Sequence, residues 1–190
     1  MKHICVFAGS SLGANGEYAA MARELGRELA RRELGLVYGG ARIGLMGALA
    51  DEVLAAGGHV IGVIPEALAA REVAHDGLSE LHIVTSMHER KALMADRADG
   101  FIALPGGWGT VEEWFEILTW RQLGIHRKPC GLLNVEGYFD RLLSFVEHAF
   151  EQGFVRPDCR AMISVSTSPG ALLDWLAAYE PTAIRRWIDP

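Results

Sequence analysis

The sequence predicts an α/β fold built on one parallel sheet with helices on both faces. Three observations predict it. Short, nearly continuous apolar runs recur along the chain, segments with helical periodicity lie between them, and glycine-rich turns follow several of the runs. Continuous apolar character is what a strand buried on both faces requires, whereas a strand with one wet face alternates. Regular alternation of the two element types then points to strand–helix–strand crossovers rather than to segregated β and α parts.

The first run, His3–Ala8, reads as a strand and ends at Gly9-Ser10-Ser11. Tyr18, Met21, Ala22, Leu25 and Leu29 then fall at i, i+3, i+4, i+7 and i+11, one face of a helix. Gly35–Tyr38 is a second strand; Gly39-Gly40-Ala41-Arg42-Ile43-Gly44 follows it, with a helix over Ile43–Ala56. His59–Ile64 and Leu81–Thr85 read as strands three and four. Ser86-Met87-His88-Glu89 fits the S-x-x-E capping box, which starts a helix at Met87 and carries it to Ala98. Gly100–Leu104 is the fifth strand, and Pro105-Gly106-Gly107-Trp108-Gly109-Thr110 leads from it into a helix over Thr110–Leu123. Lys128–Leu133 and Met162–Val165 complete seven strands. Between them Phe139, Leu142, Leu143, Val146 and Phe150 form a helical stripe, and a last helix spans Gly170–Tyr179. No Pro- or Ser-rich linker and no internal repeat interrupts the pattern, so residues 1–190 are expected to form a single domain.

Composition narrows the function. At roughly 100–200 residues per domain, 190 residues are enough for one core without disulfide staples. Lys plus Arg is 18 and Asp plus Glu is 24, a net charge of −6 with no basic patch. That speaks against nucleic acid or an anionic membrane as partner, while allowing a local basic pocket for one small anion. The three cysteines show no CxxC and no zinc spacing; Cys5 and Cys130 lie in strand-like runs and read as small core residues in a reducing, cytoplasmic setting. The N-terminal apolar run is too short for a signal peptide, and no run reaches the ~18 apolar residues of a membrane span. The seven histidines make no HxH, HxxxH or HExxH, and no GxSxG is present, so neither a metal site nor a serine elbow is expected, and no cofactor.

Ligands of open parallel sheets bind at the carboxyl ends of the strands. The Gly106–Thr110 turn is the strongest feature there, because a helix N-terminus behind glycines offers free N–H groups and a positive dipole end to a phosphate. It is neither a P-loop nor the GxGxxG dinucleotide fingerprint. A tight βα turn with no ligand would need the same glycines. Ser10 and Ser11 read equally well as ligand donors and as helix caps, and Arg42 reads as a solvated side chain. Met87, Arg90, Lys91 and Met94 share one helical stripe at i, i+3, i+4 and i+7. Two cations on an apolar stripe either snorkel outward or meet an anion in a pocket, a task that suits Arg90 with its planar fork. Thr110-Val111-Glu112-Glu113 is itself a T-x-x-E box, and this spacing favours Glu113 as a helix cap. The same position puts a carboxylate at the mouth of a phosphate site. Trp114, Ile117 and Leu118 read as core or subunit interface.

Two stretches together resemble a known family. Ser86-Met87-His88-Glu89-Arg90-Lys91, followed by Pro105-Gly106-Gly107-Trp108-Gly109-Thr110-Val111-Glu112-Glu113, is similar to the paired signature MHxRK and PGGxGTxxE of the LONELY GUY (LOG) family. Its members are cytokinin riboside 5′-monophosphate phosphoribohydrolases and related AMP nucleosidase-like enzymes. Val6–Ser11, Val37–Gly40, Gly44–Gly47 and Thr119–Gly124 agree as well, so the resemblance runs to about Val155. It implies a Rossmann-like, doubly wound parallel sheet of about seven strands flanked by helices, a homodimer, and hydrolysis of the N-glycosidic bond of purine nucleoside 5′-monophosphates. It implies Arg90 and Glu113 as catalytic residues. It implies Ser10, Glu72, Met87, Lys91, Gly106, Gly107, Trp108, Gly109, Thr110 and Thr119 as substrate-binding, with Gly107 to Thr110 around the 5′-phosphate. Ala8, Ala41 and Trp108 depart from the residues many members carry, at the pocket rim, where they bear on base preference. The alternative is a non-catalytic nucleotide or molybdenum-cofactor carrier, which needs the phosphate turn but not the Arg90 and Glu113 pair. A lysine decarboxylase label sometimes given to such sequences finds no support in the setting of Lys91.

Overall fold

The computed structural model describes residues 1–69 and 73–181. Strands β1 (His3–Phe7), β2 (Gly35–Tyr38), β3 (Val60–Pro65), β4 (Glu80–Val84), β5 (Gly100–Ala103), β6 (Cys130–Leu133) and β7 (Ile163–Ser166) form one sheet in the order β4-β3-β2-β1-β5-β6-β7. Every pairing is parallel. The chain steps outward from β1 to β4, returns to the other side of β1, and steps outward again through β7. The connections leaving β1 and β5 therefore diverge, which opens a crevice at the carboxyl ends of these neighbours, the switch point of a doubly wound sheet.

The helices are α1 (Gly16–Arg31), α2 (Gly44–Ala55), α3 (Glu66–Ala69), α4 (Met87–Arg97), α5 (Trp108–Leu123), α6 (Asp140–Glu151) and α7 (Pro169–Ala178). Side chains of a strand alternate between faces, and β1 divides its own accordingly. Ile4 and Val6 pack with Leu25 and Leu29 of α1, Leu49 and Val53 of α2, and Leu172 and Leu176 of α7. Cys5 and Phe7 pack on the other face with Met94 of α4 and Trp114 and Ile117 of α5, so Trp114 belongs to the core. Burying each such Leu or Ile stabilises the fold by roughly 1.5–3 kcal/mol relative to exposure, and truncating one to Ala costs about 2–5 kcal/mol. Cys5, Cys130 and Cys159 are free and buried. No described helix is long and apolar enough to cross a membrane.

The helix starts follow local chemistry, with two departures from the sequence reading. Asn15 caps α1, accepting from the Glu17 N–H at 3.0 Å, so neither Ser10 nor Ser11 serves as its cap. Ser86 caps α4, accepting from the Glu89 N–H at 3.1 Å, but Glu89 does not return to Ser86. Its carboxylate accepts from the Thr85 N–H and hydroxyl, each at 2.8 Å. The second departure is at α5, which begins at Trp108, two residues before Thr110, with Gly107 as its N-cap. Thr110 is thus inside the first turn and T-x-x-E is not a capping box here. Gly124, at φ +80°, ends α5 in the left-handed conformation that closes many helices. Four-residue α3 and the 3₁₀ segments Val135–Gly137 and Pro157–Met162 have no periodicity long enough to read in advance.

Candidate active site

A cleft of about 570 Å³ opens where the switch point predicts it. Gly9 and Ser10 reach it from β1, Gly39 and Ala41 from β2, Ile64 from β3 and Gly107 to Thr110 from the turn after β5. The turns are tied together: the Gly9 N–H donates to the Pro105 carbonyl at 3.0 Å, and the Gly9 carbonyl accepts from the Leu45 N–H at 3.0 Å. The ends of β1 and β5 and the start of α2 are therefore held as one frame.

The N-terminus of α5 supplies this frame with free backbone donors. Its cap, Gly107, offers no side-chain acceptor, and its first turn carries no acidic residue. The first hydrogen bond within the helix runs from the Val111 N–H to the Gly107 carbonyl at 3.2 Å, so the N–H groups ahead of it face outward with the positive end of the dipole. A Cβ on Gly107 or Gly109, both of which line the cleft, would meet only open space. Gly106 is different: a Cβ there would overlap the Thr110 hydroxyl and crowd Gly9, so only glycine lets the two turns close on each other. Trp108 stands fully out at the cleft rim, 93% exposed.

Arg90 and Glu113 converge on the floor. Arg90 arrives from α4 and is buried; its Nε donates to the Val63 carbonyl at 3.1 Å, and Nη1 lies 3.2 Å from Glu113 Oε1. Its other terminal nitrogen occupies the space a Cβ on Gly39 would need, which explains the glycine. The anion met by this inward arginine is therefore the protein's own carboxylate. Glu113 points from the second turn of α5 into the cleft, so it is a buried site residue and not a cap. Burial pushes its carboxyl up to about 7, Arg90 opposes that rise, and Glu112 adds repulsion. Desolvation outweighs the ion pair. Arg90 and Glu113 are the only ionisable side chains among the described residues lining the cleft.

The other expected site residues divide. Ser10, Gly107, Trp108, Gly109 and Thr110 line the cleft, whereas Gly106 lines a neighbouring hollow. Met87 reaches the cleft only through Arg90, with its sulfur 3.8 Å from Nη1. Lys91 is buried like Arg90 but turns the other way, to Glu112 at 2.6 Å and Glu116 at 3.0 Å. Its charge is neutralised there and adds nothing direct to the cleft. Thr119 donates to the Phe115 carbonyl at 2.8 Å and faces a separate apolar groove against α6, three turns from the start of α5. Glu72 lies outside the described residues, as does the 183–188 segment. Sequence reading missed the apolar wall of Ile43, Met46, Ile64, Leu68 and Val73. Its signal was position alone, at strand ends and beside the glycine turns.

Comparison with known proteins places this architecture. Residues 46–176 match the family model described as possible lysine decarboxylase. The chain is 52% identical over 180 residues to a cytokinin riboside 5′-monophosphate phosphoribohydrolase of Arabidopsis thaliana, covering 95% of this chain and 84% of that one. It is 54% identical over 165 residues to the enzyme of the same name from Rhodococcoides fascians, covering 86% and 83%. Among solved structures, the molybdenum cofactor carrier protein of Chlamydomonas reinhardtii superposes with a TM-score of 0.69 at 20% identity, over 94% of this chain and 99% of that one, a likeness of fold alone. Identity near one half over almost the whole chain leaves one conclusion: this protein belongs to the LOG family.

Proposed function

We propose that this protein hydrolyses the N-glycosidic bond of purine nucleoside 5′-monophosphates, either AMP or its N6-modified, cytokinin-type derivatives, releasing free base and ribose 5-phosphate. The observation that carries the reading is the buried Arg90–Glu113 pair, with Glu113 in the second turn behind a helix N-terminus that has no side-chain cap, in a single cleft. At 1.5 Å rise per residue, Gly107 and Glu113 stand about 9 Å apart along the axis, the scale of one phosphoribosyl unit. The 5′-phosphate sits on the N–H groups of the first turn of α5, and the ribose lies over Glu113.

In the reaction the bond between the base nitrogen and C1′ breaks, water adds its oxygen to C1′, and one proton goes to the departing base. By analogy with glycoside hydrolysis the transition state is oxocarbenium-like. Glu113, as a carboxylate in a low-dielectric cleft, stabilises that positive charge, holds ribose hydroxyls and aligns the water. Arg90 fixes the Glu113 carboxylate and orients the nucleotide. Binding energy from the remote phosphate holds C1′ against the reacting groups. The apolar wall from Ile43 to Val73 receives the base and any N6 substituent. Lys91 is engaged by two carboxylates, which removes the basis for a decarboxylase built on it.

We further place the protein in the reducing cytoplasm, as its three free buried cysteines favour, and as a homodimer. Large apolar side chains outside the cleft, such as Ile125, Phe145 and Phe154 at 66%, 62% and 84% exposed, supply surface for pairing. The direct test is incubation with AMP and with N6-isopentenyl AMP, followed by chromatography of the base. Base release with equimolar ribose 5-phosphate is expected. No release from any nucleoside monophosphate would leave the nucleotide or molybdenum-cofactor carrier as the better reading.

A further inference from the structure

The connection from β6 to α6 reaches the phosphate turn through one side chain. Tyr138 donates its hydroxyl to the Gly106 carbonyl over 2.6 Å. The contact lies in a hollow of about 270 Å³ beside the cleft, lined among others by Tyr18, Gly106 and Tyr138. Gly106 faces only this hollow, while Gly107 faces both the hollow and the cleft. The peptide between them is trans, so the Gly106 C=O and the Gly107 N–H point in opposite directions. A carbonyl held toward the hollow aims that N–H into the cleft.

We propose that Tyr138 is a positioning residue of the phosphate site, a latch that keeps the Gly106–Gly107 peptide turned so that its N–H, and not its carbonyl, meets the 5′-phosphate. The flanking peptides are fixed by backbone: the Pro105 carbonyl accepts from the Gly9 N–H at 3.0 Å and the Gly107 carbonyl from the Val111 N–H at 3.2 Å. Only the middle peptide depends on a side chain. It lies between two glycines, where rotation meets little steric resistance. Flipped, it would set a carbonyl oxygen against an anion.

The latch has a firm base. The Tyr138 ring packs edge-on against Tyr18 and Phe139, with centroids 5.6 and 5.0 Å apart. Its N–H donates to the Val135 carbonyl at 2.9 Å. Buried Asn134, directly after β6, accepts from the Phe139 N–H at 2.8 Å and donates to Asp140 at 2.7 Å. The hydroxyl is thus carried by a turn tied to the sheet.

This inference rests on the phosphate placement proposed above. Tyr138→Phe tests it, since the ring contacts stay and only the hydroxyl is lost. Calorimetric titration with ribose 5-phosphate should show affinity lower by about 3- to 10-fold, the weight of one hydrogen bond. Affinity for adenine, which occupies the other end of the cleft, should be unchanged. KM for AMP should rise by the same factor with kcat little altered. Equal ribose 5-phosphate affinity in variant and wild type overturns the latch, and so does a parallel loss for adenine, which marks a general disturbance. Wild-type protein that fails to bind ribose 5-phosphate at all overturns the phosphate placement itself, and the latch with it.

Discussion

Arg90 Nη1 and Glu113 Oε1 meet 3.2 Å apart although they stand on different helices, and each residue is less than a tenth exposed. A buried ion pair costs desolvation that its mutual attraction seldom exceeds by much, so such a pair in an open-mouthed cleft is weak support for stability and strong support for chemistry.

Glu113→Gln keeps the shape of the side chain and removes its charge. Hydrolysis should fall by about 10²–10⁴-fold, in kcat more than in KM, since the carboxylate acts on charge that develops in the transition state. Steady-state rates on AMP-type substrates check this. Wild-type turnover in the variant would reduce Glu113 to a structural role.

The same substitution should change how stability depends on pH. Burial raises the Glu113 carboxyl from 4.5 to about 7. A carboxyl raised on folding holds its proton in the native state while the unfolded chain has released it. Its contribution is therefore fully present below 4.5 and lost as pH rises through about 7. Between pH 5 and 8 the wild type should lose on the order of 2 kcal/mol relative to Glu113→Gln, read by urea unfolding at both pH values. A gap that does not move with pH contradicts the burial account.

Activity should carry the same signature. If the ionised carboxylate is the working form, kcat/KM rises with pH through about 7, the value set by the buried carboxyl of the free enzyme. Arg90 opposes the rise. Arg90→Gln should consequently move the acidic limb to higher pH as well as lower its plateau. A limb that stays in place would mean that the two side chains do not sense each other in solution.

Much of this was legible in the sequence, for identifiable reasons. The five inner strands are short apolar runs buried on both faces, the edge strands β4 and β7 are partly exposed, and β2, read as Gly35–Tyr38, has those bounds in the fold. Arg90 was visible as a cation on an apolar stripe. Glu113 was ambiguous because T-x-x-E is compatible with two helix starts. The glycine turn closes directly into α5 at Trp108, which carries Glu113 into the second turn, and no local pattern distinguishes that from a start at Thr110. Lys91 and Thr119 show the limit of helical spacing: it groups residues on a face but does not say which neighbour that face meets. Tyr138 sits in an aperiodic turn and acts through one hydroxyl, so spacing could not reveal it.

Two glycines of the cleft should respond differently to alanine. Gly39→Ala drives a methyl into the Arg90 guanidinium and should cost about 1–3 kcal/mol of stability together with most of the activity. Gly109→Ala finds open space. It should leave the thermal midpoint near that of the wild type while raising KM, because the added methyl takes up space beside the proposed phosphate position. Thermal unfolding and KM measured on both variants separate the two; a destabilised Gly109→Ala would show that the turn is packed rather than open.

In the proposed reaction the 5′-phosphate on the N-terminus of α5 anchors the sugar for cleavage beside Arg90 and Glu113. The most direct measurement compares kcat/KM for a nucleoside 5′-monophosphate and for the same nucleoside without its phosphate. The phosphorylated substrate should be favoured by at least about 10²-fold, with ribose 5-phosphate as a competitive inhibitor. Equal turnover of AMP and adenosine would contradict the account.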